Sequence, residues 1–220
     1  FFSSRRRHTR SCLVSWGSEM CIRDRFGGSE SADAICDVLF GEVVPSGKLT
    51  TTFPQNEGQL PLYYNHKNTG RPLAEGRWFE KFRSNYIDVS NDPLYPFGYG
   101  LSYTTFSYSD MKLSNSKMDA NGNITASIVV KNTGNYDADE VVQLYIRDVV
   151  GSITRPVKEL KGFKRIHLKK GESQVVEFTI TPEMLKFYDY DLNYVCEPGD
   201  FDVMIGPNSK DVTKLGFTLM

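Results

Sequence analysis

Residues 124–131 of this 220-residue chain alternate strictly. Ile124, Ala126, Ile128 and Val130 fall on one side of an extended backbone, and Thr125, Ser127, Val129 and Lys131 on the other. A period of two predicts a strand with one face turned to a core. The pattern recurs. FSYSDMKLS, ITASIVVKN, EVVQLYIRD, ELKGFKRIHL, SQVVEFTI, FDVMIG and TKLGFTL are short runs of this kind, spaced by turn signals such as Asn121-Gly122 and Lys170-Gly171. Seven short strands over roughly a hundred residues predict a mainly β fold, two antiparallel sheets packed as a sandwich. A helical turn is expected at 182–186.

Upstream of residue 104 the period changes. Ala32, Ile35, Cys36, Leu39 and Phe40 recur at i, i+3, i+4, i+7 and i+8, which lays one apolar stripe along a helix. Ser29 or Ser31 can cap its start, Glu30 suits the positive end of its dipole, and Gly41 can close it in the left-handed conformation. Cys36 lies on the stripe, where a small buried hydrophobe is expected. Pro45, Ser46 and Gly47 then turn the chain into an expected strand over 48–53, ended by Pro54. One helix and one strand cannot bury enough apolar surface to stand alone. Residues 25–54 therefore read as the last part of a larger layered domain. From 55 to 103 periodicity fades while aromatics crowd: Tyr63, Tyr64, Trp78, Phe79, Phe82, Tyr86, Tyr95, Phe97, Tyr99 and Tyr103. A disordered linker would be poor in such residues. An ordered connector that packs against its neighbours is expected.

Residues 1–24 fit neither pattern. They hold no sustained period, carry a net charge of +3, and lack the apolar core and cleavage site of a signal peptide. They read as a disordered, non-native translation of a sequencing adapter; the functional alternative is a basic arm for a polyanion. The rest of the chain carries a net charge of −4, which gives no electrostatic case for nucleic acid. No apolar run reaches the roughly 18–20 residues of a membrane span. With 1–24 set aside, Cys36 and Cys196 remain, and two cysteines in different modules make no disulfide framework.

Few residues carry chemistry. Gly98-Tyr99-Gly100 follows irregular chain and opens a strand, whereas a nucleotide-binding glycine loop follows a strand and opens a helix. Asp189-Tyr190-Asp191-Leu192-Asn193 begins like a calcium loop, with Asp200 at the twelfth position. Tyr194, however, stands where that loop needs glycine, so a polar inter-strand turn is expected. Asn123-Ile124-Thr125 is an N-glycosylation acceptor pattern, which matters only in a eukaryotic secretory pathway. His66 and His167 have no adjacent Ser, Cys or metal-ligand spacing. No pair of Asp or Glu residues is placed as nucleophile and general acid, and no metal or cofactor is expected. The aromatic connector is the functional lead. Trp78 and Phe79, flanked by Arg77 and Arg83, suit the rim of a sugar site, because sugars lay their apolar faces on aromatic rings. Packing against a neighbouring domain is the competing role for both.

Seven words, ADAICDVLFG, PSGKLTTTFP, YYNHKNTGRP, DPLYPFGYGLSYTTF, VVKNTG, RPVKELKGF and EPGDF, stand in an order and spacing that resemble the C-terminal third of glycoside hydrolase family 3, especially its bacterial three-domain β-glucosidases. The resemblance runs from Phe26 to Met220. It implies that 25–54 is the remnant of an α/β sandwich domain, 55–103 the connector and 104–220 a fibronectin type III-like (immunoglobulin-like) domain. It also implies a parent enzyme that hydrolyses terminal non-reducing β-D-glucosyl residues with retention, without metal or organic cofactor. The implied substrate is a β-linked oligosaccharide or glucoside, and the implied place is the periplasm or outside the cell. In that family a barrel supplies the Asp nucleophile, and the α/β domain supplies a Glu acid/base upstream of ADAICDVLFG. Neither has a counterpart in this sequence, and Glu30 corresponds to a helix start. No catalytic residue is assigned, the missing barrel and α/β domain are the expected partners, and the chain alone is expected to be inactive. A β-xylosidase parent fits the same words. A stand-alone fibronectin-like binding or scaffolding module is the alternative from another class. That alternative requires the apolar side of the helix over 29–40 to be covered, whereas a fragment leaves it bare.

Overall fold

In the computed structural model, which describes residues 30–73, 77 and 79–220, helix α1 (Ser31–Phe40) forms where the 3.6-residue apolar period predicts it. Gly41 ends it with φ at 81°, its N–H donating to the Val38 carbonyl over 3.3 Å. The serine cap is not made. Glu30 holds the N-cap position without a side-chain hydrogen bond, Ser31 is the first helical residue, and Ser29 lies outside the described residues, as does all of 1–24. No residue of α1 is buried; Ile35 is 57%, Leu39 71% and Phe40 81% exposed. Cys36 is exposed as well, which corrects the expected burial. The unit that α1 occupies ends at Val43, and none of its described residues is buried.

A second unit runs from Val44 to Met220 and takes in the segment 44–54. The strand expected over 48–53 does not form. The chain bends at Thr50 and Thr51 and makes only scattered bonds with 94–99: Leu49 N–H to the Tyr99 carbonyl (2.7 Å), Gly98 N–H to the Leu49 carbonyl (2.8 Å), Phe53 N–H to the Tyr95 carbonyl (2.9 Å), and the N–H groups of Leu94 (2.8 Å) and Tyr95 (3.2 Å) to the Phe53 carbonyl. A ladder cannot continue, because Pro96 has no N–H and the facing chain turns at Gly98, with φ at 79° and Tyr99 N–H bonded to the Pro96 carbonyl.

All seven runs read as strands are strands. In chain order they are β1 (Phe106–Leu113), a short β2 (Lys117–Met118), β3 (Ile124–Asn132), β4 (Ala138–Asp148), β5 (Glu159–Leu168), β6 (Ser173–Ile180), short β7 (Phe187–Tyr188) and β8 (Tyr194–Val195), β9 (Gly199–Gly206) and β10 (Thr213–Leu219). The expected helical turn is α2 (Pro182–Leu185), with proline in its first turn, where the missing N–H costs nothing. One sheet has the order β1-β3-β6 and the other β2-β10-β9-β4-β5, antiparallel except where β2 joins β10; β7 and β8 form a separate hairpin. Alternation places Ile124, Ala126, Ile128 and Val130 of β3 inside, facing Val142, Leu144 and Ile146 of β4 and Phe201, Val203 and Ile205 of β9 across the core. β5 is an edge strand, and Lys161, Lys164 and Arg165 along it discourage pairing with another chain.

β4 is covered on its second face too. Tyr145 and Gln143 point away from the core yet are buried. The Tyr64 ring packs edge-on against Tyr145 at 6.0 Å and stacks on Phe97 at 4.2 Å, and Phe53, Tyr95 and Tyr99 extend the layer. The density of aromatics in the connector thus has a physical use, a third layer over the five-stranded sheet.

Candidate functional site

The loop that carries Phe79 is closed at its base. Ser84 N–H donates to the Arg71 carbonyl (2.9 Å), beside a bridge between Pro72 and Ser84, and the Asn91 side-chain amide donates to the Ser84 carbonyl (2.8 Å). A glutamine knot secures the ground beneath it. Gln59 is fully buried; its amide donates to the carbonyls of Ser90 (2.8 Å) and Asp92 (3.1 Å), and the Gln55 amide bonds Ser90 Oγ (2.9 Å). From this base the loop presents Phe79, 60% exposed, and Phe82, 73% exposed and held at φ 65° with the Lys81 ammonium 5.0 Å from its ring centre. Arg83 pairs with Glu80 at 3.4 Å. Trp78 lies outside the described residues. Phe79 therefore stands as an exposed aromatic on a tethered loop, with Arg77 exposed two residues earlier. Phe82 was not singled out from the sequence, although it shares the same aromatic run.

The carboxylates tell a structural story. Among the described residues the two buried ones are Glu140 and Asp148, both on the core-facing side of β4. Eight residues of strand separate their Cα atoms by about 26 Å at the usual rise of about 3.3 Å per residue. A retaining glycosidase needs about 5–5.5 Å between its two carboxyls and an inverting one about 6.5–9.5 Å. Each is also engaged. Glu140 Oε1 accepts from Lys48 Nζ at 3.0 Å and from the Tyr108 hydroxyl at 2.8 Å, at the wall of a cleft of about 320 Å³. Burial, reinforced by the Glu140 charge and hydrogen bond, pushes the Tyr108 hydroxyl far above its ordinary value. Asp148 faces Arg155, whose guanidinium lies 4.3 Å over the Phe187 ring and donates to Glu159 at 2.8 Å. The Arg155 Nε to Asp148 Oδ2 separation is 3.6 Å, and neither atom has a hydrogen bond or reaches solvent. Burial pushes the Asp148 carboxyl up, Arg155 pulls it back, and Glu197 and Glu159 add to the push. Glu140 carried a signal that sequence reading missed: an acid in phase with Val142, Leu144 and Ile146.

The recognisable words prove to be joints. In VVKNTG, Asn132 is fully buried; its amide donates to the carbonyls of Tyr136 (2.7 Å) and Leu168 (3.1 Å), and its Oδ1 accepts from Thr104 Oγ1 (2.6 Å). In RPVKELKGF, Val157 N–H bonds the His66 carbonyl, and Lys158 Nζ bonds the Ser209 carbonyl at 2.6 Å. In PFGYG, Gly98 lies so close to Gln143 that an added Cβ would sit 2.0 Å from Oε1. The Asp189–Asn193 segment is the expected polar turn, with Asp189 Oδ1 accepting from Asn193 N–H at 2.8 Å. Among the described residues no three His, Cys, Asp or Glu side chains gather as a metal site.

The glycosyl hydrolase family 3 C-terminal domain model matches residues 17–103, beginning inside the segment that sequence reading set aside, and the fibronectin type III-like domain model matches 140–209. A periplasmic β-glucosidase of Salmonella typhimurium is 50% identical over 195 residues, which cover 89% of this chain and 25% of that protein. A putative β-xylosidase of Formosa agariphila is 46% identical over 216 residues, 97% of this chain and 27% of that one. The crystal structure of a β-glucosidase from Listeria innocua in complex with glucose superposes with a TM-score of 0.83 at 40% identity, covering 88% of this chain and 27% of that one. The chain spans about a quarter of the length of the relatives it matches.

Proposed function

We propose a function from one premise, that the chain belongs to glycoside hydrolase family 3: it is the C-terminal portion of a longer β-glycosidase whose reacting carboxylates lie outside it. The observation that carries this reading is the 50% identity to a periplasmic β-glucosidase over 195 residues, which span both the helical and the β-sandwich parts of this chain and a quarter of that protein. The wide separation of Glu140 and Asp148, each locked in an ion pair, supports a scaffold and not a reaction centre. The bare apolar stripe of α1 supports the loss of a covering partner surface over a self-contained module. The parent hydrolyses terminal β-D-glucosyl residues with retention, its barrel and α/β domain supplying nucleophile and acid/base. It acts in the periplasm or outside the cell, a location supported by the name of the Salmonella relative; among the described residues no helix is long and apolar enough to cross a membrane. The 46% identity to a putative β-xylosidase favours xylosides as the second reading. Trp78 and Phe79 line the outer edge of the parent's sugar site.

Aryl β-glucosides and aryl β-xylosides test this together. The 220-residue chain alone shows no turnover above background, and clear turnover by it refutes the assignment. The parent, expressed from the in-frame gene upstream, cleaves the glucoside. In that enzyme Phe79→Ala raises KM about tenfold with kcat nearly unchanged, the mark of a lost binding contact.

A further inference from the structure

The β7–β8 hairpin carries an aromatic surface that the hydrolase reading does not use. Phe187 anchors it, 4% exposed beneath Arg155, and Cys196 packs against the core at the other end. Beyond these anchors the side chains turn outward: Tyr188 is 61%, Tyr190 91%, Leu192 79% and Tyr194 46% exposed. Tyr188 and Tyr194 are directly opposite in the two-stranded ladder, so their rings share one face, with centroids 4.9 Å apart at 40°. The turn between them is closed by its own polar residues. Asp189 N–H donates to the Asn193 carbonyl (3.0 Å), Asn193 N–H to Asp189 Oδ1 (2.8 Å), and Leu192 takes the left-handed conformation at φ 62°. The platform is thus pre-formed, and tyrosines lose little conformational freedom when they bind.

We propose that this hairpin is a non-catalytic binding surface for a neutral glycan chain. Exposed tyrosine faces stack on the C–H face of a pyranose, and the interleaved Asp191 and Asn193 offer acceptors and donors to its hydroxyls. The local charge disfavours polyanions: Asp189 and Asp191 lie on the hairpin, and Lys186, whose ammonium sits 5.5 Å from the Tyr194 ring centre and takes part of that ring's face, is paired with Glu183 at 2.7 Å. The area excludes a stable protein interface. With Tyr188, Tyr190 and Tyr194 61%, 91% and 46% exposed, three rings of about 150–250 Å² each offer at most about 500 Å², and Leu192 adds less than one ring. A standard complex buries about 800 Å² per partner with 20–30 residues a side.

Affinity electrophoresis of the 220-residue chain in native gels containing soluble β-glucan or xylan tests this without requiring turnover, so it stands or falls apart from the hydrolase reading. The chain is retarded by at least one of these polysaccharides. Y188A/Y190A/Y194A binds at least tenfold more weakly, while Y188F/Y194F keeps its retardation because stacking survives. Melting temperatures of both variants stay close to the parent chain, since the altered rings are exposed. Absence of retardation in every polysaccharide overturns the proposal, as does equal retardation of the triple alanine variant. Concentration-dependent mobility without polysaccharide, lost in the triple variant, assigns the surface to a second copy of the chain and likewise overturns it.

Discussion

Lys48→Met isolates what ties residues 44–54 to the sandwich. Lys48 Nζ sits 3.0 Å from Glu140 Oε1, with side chains only 14% and 5% exposed. At an effective dielectric of about 20, unit charges 3 Å apart attract by about 5 kcal/mol before desolvation is subtracted. Removing one partner of a buried pair leaves the other charge uncompensated, typically at about 3–5 kcal/mol. The Tyr108 hydroxyl still donates to Glu140 Oε1 at 2.8 Å, so the lower end applies, about 3 kcal/mol. For a unit of this size that lowers the melting temperature by about 6–12 °C. Glu140→Gln costs less, about 1–2 kcal/mol, because the Lys48 ammonium can extend toward the cleft and remain hydrated. The double variant Lys48→Met/Glu140→Gln has no orphaned charge, and urea unfolding followed by circular dichroism shows it losing at least about 2 kcal/mol less than the sum of the single losses. Additivity within about 0.5 kcal/mol, or a Lys48→Met loss below that value, refutes the claim that this ion pair is a buried structural tie.

Two further outcomes probe the same unit. Burial and Glu140 raise the Tyr108 hydroxyl, and burial with the neighbouring Tyr64 raises that of Tyr145. Both groups stay neutral in the folded state while the unfolded chain ionises near pH 10. Their stabilisation is complete below that pH and is lost as pH rises toward the folded values, so the unfolding free energy from urea titrations falls between pH 10 and 11 by about 2 kcal/mol in all, and Tyr145→Phe roughly halves the slope. A flat profile contradicts the burial of both hydroxyls. Gly98→Ala faces a left-handed φ of 79° and a Cβ 2.0 Å from Gln143 Oε1, so the Gln143 side chain must move and its Nε2 must give up the bonds it donates to the carbonyls of Gly98 (3.1 Å) and Pro207 (2.6 Å). The expected cost is about 2–4 kcal/mol by chemical denaturation, and a loss under about 1 kcal/mol would show that the turn is not held by this contact.

The seven long strands were legible because their signal is local: a period of two is written into each run, and a one-residue slip would turn every inward side chain outward. Strand 48–53 failed for the complementary reason. A strand is a property of a pair, and the facing residues carry Pro96 and the Gly98 turn, which no inspection of 48–53 reveals. Cys36 failed likewise. The stripe on α1 shows which side seeks cover, but cover itself depends on a partner surface, and none of the described residues of its unit is buried.

At the candidate site the gap is one of distance. Lys48 and Glu140 lie 92 positions apart, and no spacing rule joins them. Glu140 alone was detectable, as an acid inside an apolar phase, and such a residue demands a partner wherever it is. The aromatic lead at Trp78 and Phe79 came from composition, which can name a ring but not its neighbours. The words that make the chain recognisable, such as VVKNTG and RPVKELKGF, hold backbone together through Asn132, Val157 and Lys158. Recognition of this sequence is therefore recognition of an architecture. Its chemistry has to be argued from the relatives that share the joints, which is why loss of turnover in the isolated chain, and its return in the parent, discriminate more sharply than any substitution within the sandwich.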